Sequence, residues 1–92
     1  MKKIKKIYVL TLEEKYHSIT DISVLGTFSN ERSAKEVMDE TFDAVYKRNY
    51  SNLNENDYVI TKSNDKITIS EILDSNYSML KITETILDKW KK

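Results

Sequence analysis

The chain is 92 residues long, room for a single core that buries roughly 65% of the unfolded surface. The absence of cysteine excludes disulfides, thiolate catalysis and cysteine-based zinc sites, and a single glycine excludes the glycine-rich loops that cradle phosphates. Fifteen basic residues balance fifteen acidic ones, and a composition 39% apolar and 33% charged reads as a soluble globular domain.

With no proline, turns fall to Asn, Asp and Ser, whose side chains bond their own backbone. Such clusters at Ser29-Asn30, 49–57, Ser63-Asn64-Asp65 and Asp74-Ser75-Asn76 divide the chain into short elements. Ile4 to Leu12 reads as a strand apolar on both faces around Ile7–Leu10. The charged run Glu13-Glu14-Lys15 then suggests a loose polar loop leading to a second strand, Ile19 to Phe28. There Ile22, Val24 and Phe28 share one parity, and Gly26 marks either a bulge or a close approach by the helix. Ser29 or Asn30 caps a helix over about 30–48 with an apolar stripe at Ala34, Val37, Met38, Thr41, Phe42 and Val45. Lys47 and Arg48 suit its carbonyl end, and 49–57 follows as an irregular loop. Tyr58–Thr61 and Lys66–Ile72 form a hairpin across Ser63-Asn64-Asp65. The closing segment, 77–90, supports two readings. Met79, Leu80, Ile82, Ile86, Leu87 and Trp90 gather on one helical face, whereas Ile82, Thr83, Thr85 and Ile86 are β-branched residues that favour a strand. The expected fold is therefore α+β: an antiparallel sheet of 4–5 strands with one long helix on one face, and a second helix at 77–90 as the alternative.

Chemistry is sparse. His17 is the chain's single histidine and has Glu13, Glu14 and Asp21 nearby in sequence, but Ser18 and Thr20 lack an oxyanion-forming turn, so a polar histidine at a hairpin end is the plainer reading. Asn52-Leu53-Asn54-Glu55-Asn56-Asp57 has the alternation of a calcium loop. Such a loop needs Gly at its sixth position and Glu at its twelfth, where this chain has Asp57 and Ser63, so a loop stiffened by asparagines is expected instead. No cofactor, metal or catalytic residue is assigned. Met1-Lys2-Lys3-Ile4-Lys5-Lys6 begins like a signal peptide, yet Ile7–Leu10 is too short for its apolar core, and no run approaches the ~20 apolar residues of a membrane span. The expected location is the cytoplasm, where the sequons at Asn49 and Asn76 have no role.

Charge is partitioned. Lys2, Lys3, Lys5 and Lys6 open the chain and Lys89, Lys91 and Lys92 close it, leaving residues 7–88 with fifteen acids against eight bases, a net −7. The densest part is the helix face Glu36, Asp39, Glu40 and Asp43, where Glu36/Glu40 and Asp39/Asp43 are like-charge i, i+4 pairs. Such a ridge is either a solvated face or a surface that steers a basic partner, such as a nucleic-acid-binding protein, into place. Tyr46 and Tyr50 lie beside it, either closing the core rim or adding contact area to an interface. The terminal lysines offer an opposite reading, direct nucleic-acid binding, and an edge strand offers a homodimer.

Ile7-Tyr8-Val9-Leu10-Thr11, Leu25-Gly26-Thr27-Phe28-Ser29, Asn30-Glu31-Arg32-Ser33-Ala34-Lys35-Glu36 and Leu80-Lys81-Ile82-Thr83-Glu84-Thr85 together resemble small proteins of phages and mobile elements of low-GC bacteria. Thirteen Lys against two Arg fit AT-rich codons. The resemblance covers most of the chain and implies a β-β-α-β-β-β order, which tilts 77–90 to strand; the tail from Asp88 and the helical stripe depart from it. Proteins of this size and source include anti-CRISPR proteins and other inhibitors of bacterial defence, and the resemblance carries no ligand or catalytic residue. Together with the charge partition, the expected function is a non-catalytic protein-binding module acting on a host protein; the acidic face and its neighbouring tyrosines, read from the residues themselves, offer Glu36, Asp39, Glu40, Asp43, Tyr46 and Tyr50 as its surface, and the terminal lysines leave a nucleic-acid-binding accessory protein as the alternative.

Overall fold

The computed structural model describes residues 5–87. Their order is β1 (Lys5–Tyr16), β2 (Ile19–Phe28), α1 (Glu31–Asn49), a short 3-10 turn (Glu55–Asp57), β3 (Tyr58–Lys62), β4 (Lys66–Glu71) and β5 (Tyr77–Leu87). The strands form one antiparallel sheet in the order β2-β1-β5-β4-β3, with α1 packed on one face. This is the α+β architecture expected from the sequence. Ile4, Trp90 and the lysines at 2, 3, 89, 91 and 92 lie outside the described residues.

Period-two alternation builds the covered face. Leu10 stands opposite Ile82, Leu12 opposite Leu80, and Leu80 opposite Ile67. All five are buried, with Ile69 and the helix residues Ala34, Met38 and Val45 completing the core. Burying each large aliphatic side chain is worth about 1.5–3 kcal/mol. The other sheet face is open and rich in threonine, the β-former that tolerates solvent: Thr11, Thr61, Thr68, Thr83 and Thr85 all lie on it.

The closing segment is a strand. β5 fills the centre of the sheet between β1 and β4, and its side chains alternate: Ser78, Leu80 and Ile82 buried, Met79 half-buried, Lys81 and Thr83 exposed. The helical stripe from Met79 to Ile86 therefore divides between the two faces.

Two local expectations are corrected. No loose loop follows Leu12: β1 continues through Glu13-Glu14-Lys15 to Tyr16, which pairs with Ile19 across a two-residue turn. The acids sit comfortably in the strand because each has a partner. Tyr77 Oη donates to Glu13, while Arg48 and Asn49 donate to Glu14 at 3.3 and 3.4 Å. The turn places His17 at φ 57°, a left-handed conformation uncommon outside glycine.

The second correction concerns parity in β2. Leu10 pairs with Gly26 but Thr11 pairs with Val24, so Leu25 is an extra residue, a β-bulge. The bulge puts Phe28 on the covered face and Ile22 and Val24 on the open one, so these three do not share a side. A Cβ at Gly26 would lie 3.2 Å from Cζ of the Phe28 ring, and that ring, not the helix, is the close neighbour.

Candidate partner-binding surface

Helix α1 is fixed at its start by Asn30, whose Oδ1 accepts the Ser33 N–H at 2.8 Å, and its last turn carries Lys47 and Arg48. Nineteen residues give it a length of about 28 Å. Ala34, Met38 and Val45 are buried, while Val37, Phe42 and Tyr46 flank the core. The same periodicity turns Glu36, Asp39, Glu40 and Asp43 outward, and all four are exposed.

Asp43 pairs with Lys47 at 3.2 Å and Glu31 with Lys35 at 3.7 Å. Among the described residues Glu36, Asp39 and Glu40 make no ion pair. Asp39, Glu40, Phe42 and Asp43 line an open, shallow cleft of about 420 Å³ whose far wall is Lys62, at the end of edge strand β3. The Lys62 ammonium sits 5.1 Å above the Phe42 ring centroid, a cation–π contact. The ridge thus borders the free edge of β3, and Lys62 is the one cation in that cleft.

The two tyrosines part company. Tyr46 is half-buried, with its hydroxyl 2.6 Å from that of Tyr58. Tyr50 is 1% exposed and its hydroxyl lies 3.1 Å from Ser78 Oγ, so it is a core residue with no surface to offer a partner. Its burial follows from the chain turning at the helix end, where its N–H donates to the Tyr46 carbonyl at 2.8 Å. Phe42, Tyr46, Tyr58 and Tyr50 form a line of tilted and edge-to-face rings with centroids 5.7–6.4 Å apart. The Tyr46 hydrogen bond, aided by desolvation and by the charges of Tyr46 and Glu55, pushes the Tyr58 phenol up to about 12. Burial raises Tyr50 as well, against the opposing effect of its Ser78 hydrogen bond.

His17 is exposed and is held through its backbone N–H, which donates to Asn76 Oδ1 at 2.8 Å. Glu13 and Glu14 are engaged by Tyr77, Arg48 and Asn49, not by His17. The loop after α1 is held by backbone bonds from Leu53 to Tyr50 and from Asp57 to Asn54, and by Ser51 Oγ to the Lys47 carbonyl. The side chains of Asn52, Asn54 and Asn56 make none of the described hydrogen bonds, so asparagine does not stiffen the loop in the way its composition suggests. No three His, Cys, Asp or Glu side chains gather in a metal-holding group among the described residues. No described helix is long and apolar enough to cross a membrane.

Sequence reasoning missed Phe42 and Lys62 as walls of the ridge and Asn76 as a buried link. Phe42 reads as ordinary core from its spacing, and Lys62 becomes its neighbour only through sheet pairing. Comparison with protein-family models, with curated proteins and with solved structures returned no match to this chain.

Proposed function

We propose that this chain is a non-catalytic protein-binding module that presents the acidic face of α1 to a basic partner. The observation that carries the reading is the arrangement of Glu36, Asp39, Glu40 and Asp43. Two like-charge i, i+4 pairs stand exposed on a capped helix, and three of the four acids make no ion pair among the described residues. Each such pair costs a few tenths of a kcal/mol, and a Lys in place of Glu40 would recover that of Glu36/Glu40. The half-buried rings of Phe42 and Tyr46 adjoin the ridge and supply the apolar contact that charge alone does not. The setting we favour is a phage or mobile-element inhibitor of a bacterial defence protein, one whose phosphate-tracking groove the ridge would mask. The test is capture from a low-GC bacterial lysate with the native chain and with the Glu36→Lys, Asp39→Lys, Glu40→Lys, Asp43→Lys variant. A dominant protein retained by the first and lost by the second, with unchanged circular dichroism, is the expected outcome; equal retention overturns the reading.

One observation favours a second reading, direct nucleic-acid binding. Lys5 and Leu87, the first and last described residues, are partners in the β1–β5 ladder, and lysines dominate the sequence on both sides of them. A salt-dependent mobility shift with single-stranded or duplex DNA supports that reading, and no shift at low salt ends it.

A further inference from the structure

We infer that two copies of this chain associate edge to edge through β2, continuing the sheet antiparallel across a two-fold axis at Ser23. β2 pairs only with β1, so the backbone groups along its outer edge are not paired within the sheet. The chemistry that satisfies such a row is another extended strand.

The two edges of this sheet are built differently. β3 has five residues, ends in Lys62 and runs beside the acidic ridge, all devices that discourage strand addition. β2 has ten residues and one charge, Asp21. Ile19, Ile22 and Val24 on it are 65–66% exposed and Leu25 is 39% exposed. The bulge at Leu25 lies near one end and leaves Ile19–Val24 regular.

The occupant follows from charge and parity. A partner that covers this edge without a desolvation cost must present a nearly uncharged, β-branched strand, and β2 is itself such a strand. With the axis at Ser23, Ile22 meets Val24 of the second copy and Val24 meets its Ile22, both pairs on the open face. Asp21 meets Leu25, so no like charges stand opposite. The two Asp21 residues are then about 13 Å apart along the strands by residue rise, beyond the Debye length of ~10 Å at 0.1 M salt. The regular pairing about Ser23 runs from Ile22 to Val24 before the bulge at Leu25, well short of the about 20–30 residues a side of a standard interface, which makes this a weak, concentration-dependent dimer. Because each body is acidic, salt strengthens the association, whereas salt weakens a basic partner's hold on α1. The inference is independent of the acidic-face reading.

The test is sedimentation velocity of the full chain from ~10 μM to ~1 mM, a range that brackets weak association, at low and high salt, with hydrogen exchange at both ends of the range. The expected result is a shift from 10.8 kDa toward twice that mass, more complete at high salt, with amide protection gained in Ile22–Val24. Val24→Lys should remain monomeric throughout, and Ile22→Thr, which keeps strand propensity, should weaken the dimer at least about tenfold. A native chain monomeric at ~1 mM, a Val24→Lys chain that dimerises as well as the native one, or protection gained in β3 or α1 instead would each overturn the inference.

Discussion

Asn76 is 7% exposed and ties together two turns that lie far apart in sequence. Its Oδ1 accepts the His17 N–H at 2.8 Å, its Nδ2 donates to Glu71 at 3.2 Å, and its carbonyl accepts the Glu71 N–H at 3.0 Å. Replacing it with Ala keeps only the last bond and leaves the His17 N–H without its partner, at a cost of about 1–3 kcal/mol. The measurement is the urea midpoint at unchanged m-value; a midpoint equal to the native one would show that water replaces the amide at no cost. Nothing local in the sequence marks this link, because Asn76 reads only as a turn former and its partner lies 59 residues away. The tyrosines give a pH signature at the same scale. Tyr58 is raised to about 12 by its bond to Tyr46, Tyr77 is raised by Glu13, and Tyr16 and Tyr50 are raised by burial. A phenol whose folded value exceeds its unfolded value favours the native state below pH ~10, and that advantage fades as pH climbs toward the folded value. Stability should therefore fall above pH 10, and Tyr46→Phe should flatten the fall, because it removes the largest cause of the Tyr58 shift. Phenolate absorbance alongside far-ultraviolet circular dichroism checks both, and an equally steep loss in Tyr46→Phe would rule out the pair as its source.

At the scale of elements, the helix was the most legible part of the chain. Its cap, stripe and basic end are all local signals, and they placed it to within one or two residues of Glu31–Asn49. The strands were legible as runs but not as faces. One inserted residue, Leu25, reversed the parity of Ile22 and Val24 relative to Phe28, and only pairing with β1 reveals which way the strand turns. β5 shows the opposite difficulty. A helical stripe over 77–90 competed with β-branched composition, and the vacancy between β1 and β4 gave the segment to the sheet. The candidate surface was half legible. Glu36, Asp39, Glu40 and Asp43 were placed outward by periodicity alone, while Tyr50, just past the helix, owes its burial to tertiary packing against Ser78. The like-charge pairs on that face make a direct claim about stability. Glu40→Lys replaces repulsion from Glu36 with a Glu-to-Lys i, i+4 pair in the better orientation, so it should raise stability by about 0.5 kcal/mol. Chemical denaturation of the single variant tests this. An unchanged or lower midpoint would show that the ridge carries no electrostatic cost, and the argument that it is retained for binding would lose its footing.

At the scale of the whole molecule, length decides what the balanced charge means. The fold measures 55 × 26 × 18 Å with a radius of gyration of 15.7 Å, well above the ~12 Å of a compact chain this size. The elongation follows from strands of 11 and 12 residues carrying a helix too short to cover them. The sheet beyond the helix keeps side chains such as Ile86 at 54% exposure. Charges spread over 55 Å do not neutralise one another in solution, because interactions beyond the Debye length of ~10 Å at 0.1 M are screened. The zero formal charge of the chain is thus a sum over regions that a partner or a resin meets one at a time. The acidic residues Asp39, Glu40 and Asp43 stand together along one exposed helix face, where Lys62 is the one cation lining their cleft. At pH 7 and low salt the chain should therefore be retained by an anion exchanger despite its neutrality, and released as salt shortens the Debye length below ~8 Å. The chain with Glu36, Asp39, Glu40 and Asp43 all changed to Lys should pass through the same column. Flow-through of the native chain would mean that its basic and acidic regions offset one another at the surface, and the helix face would then have no field with which to steer a partner.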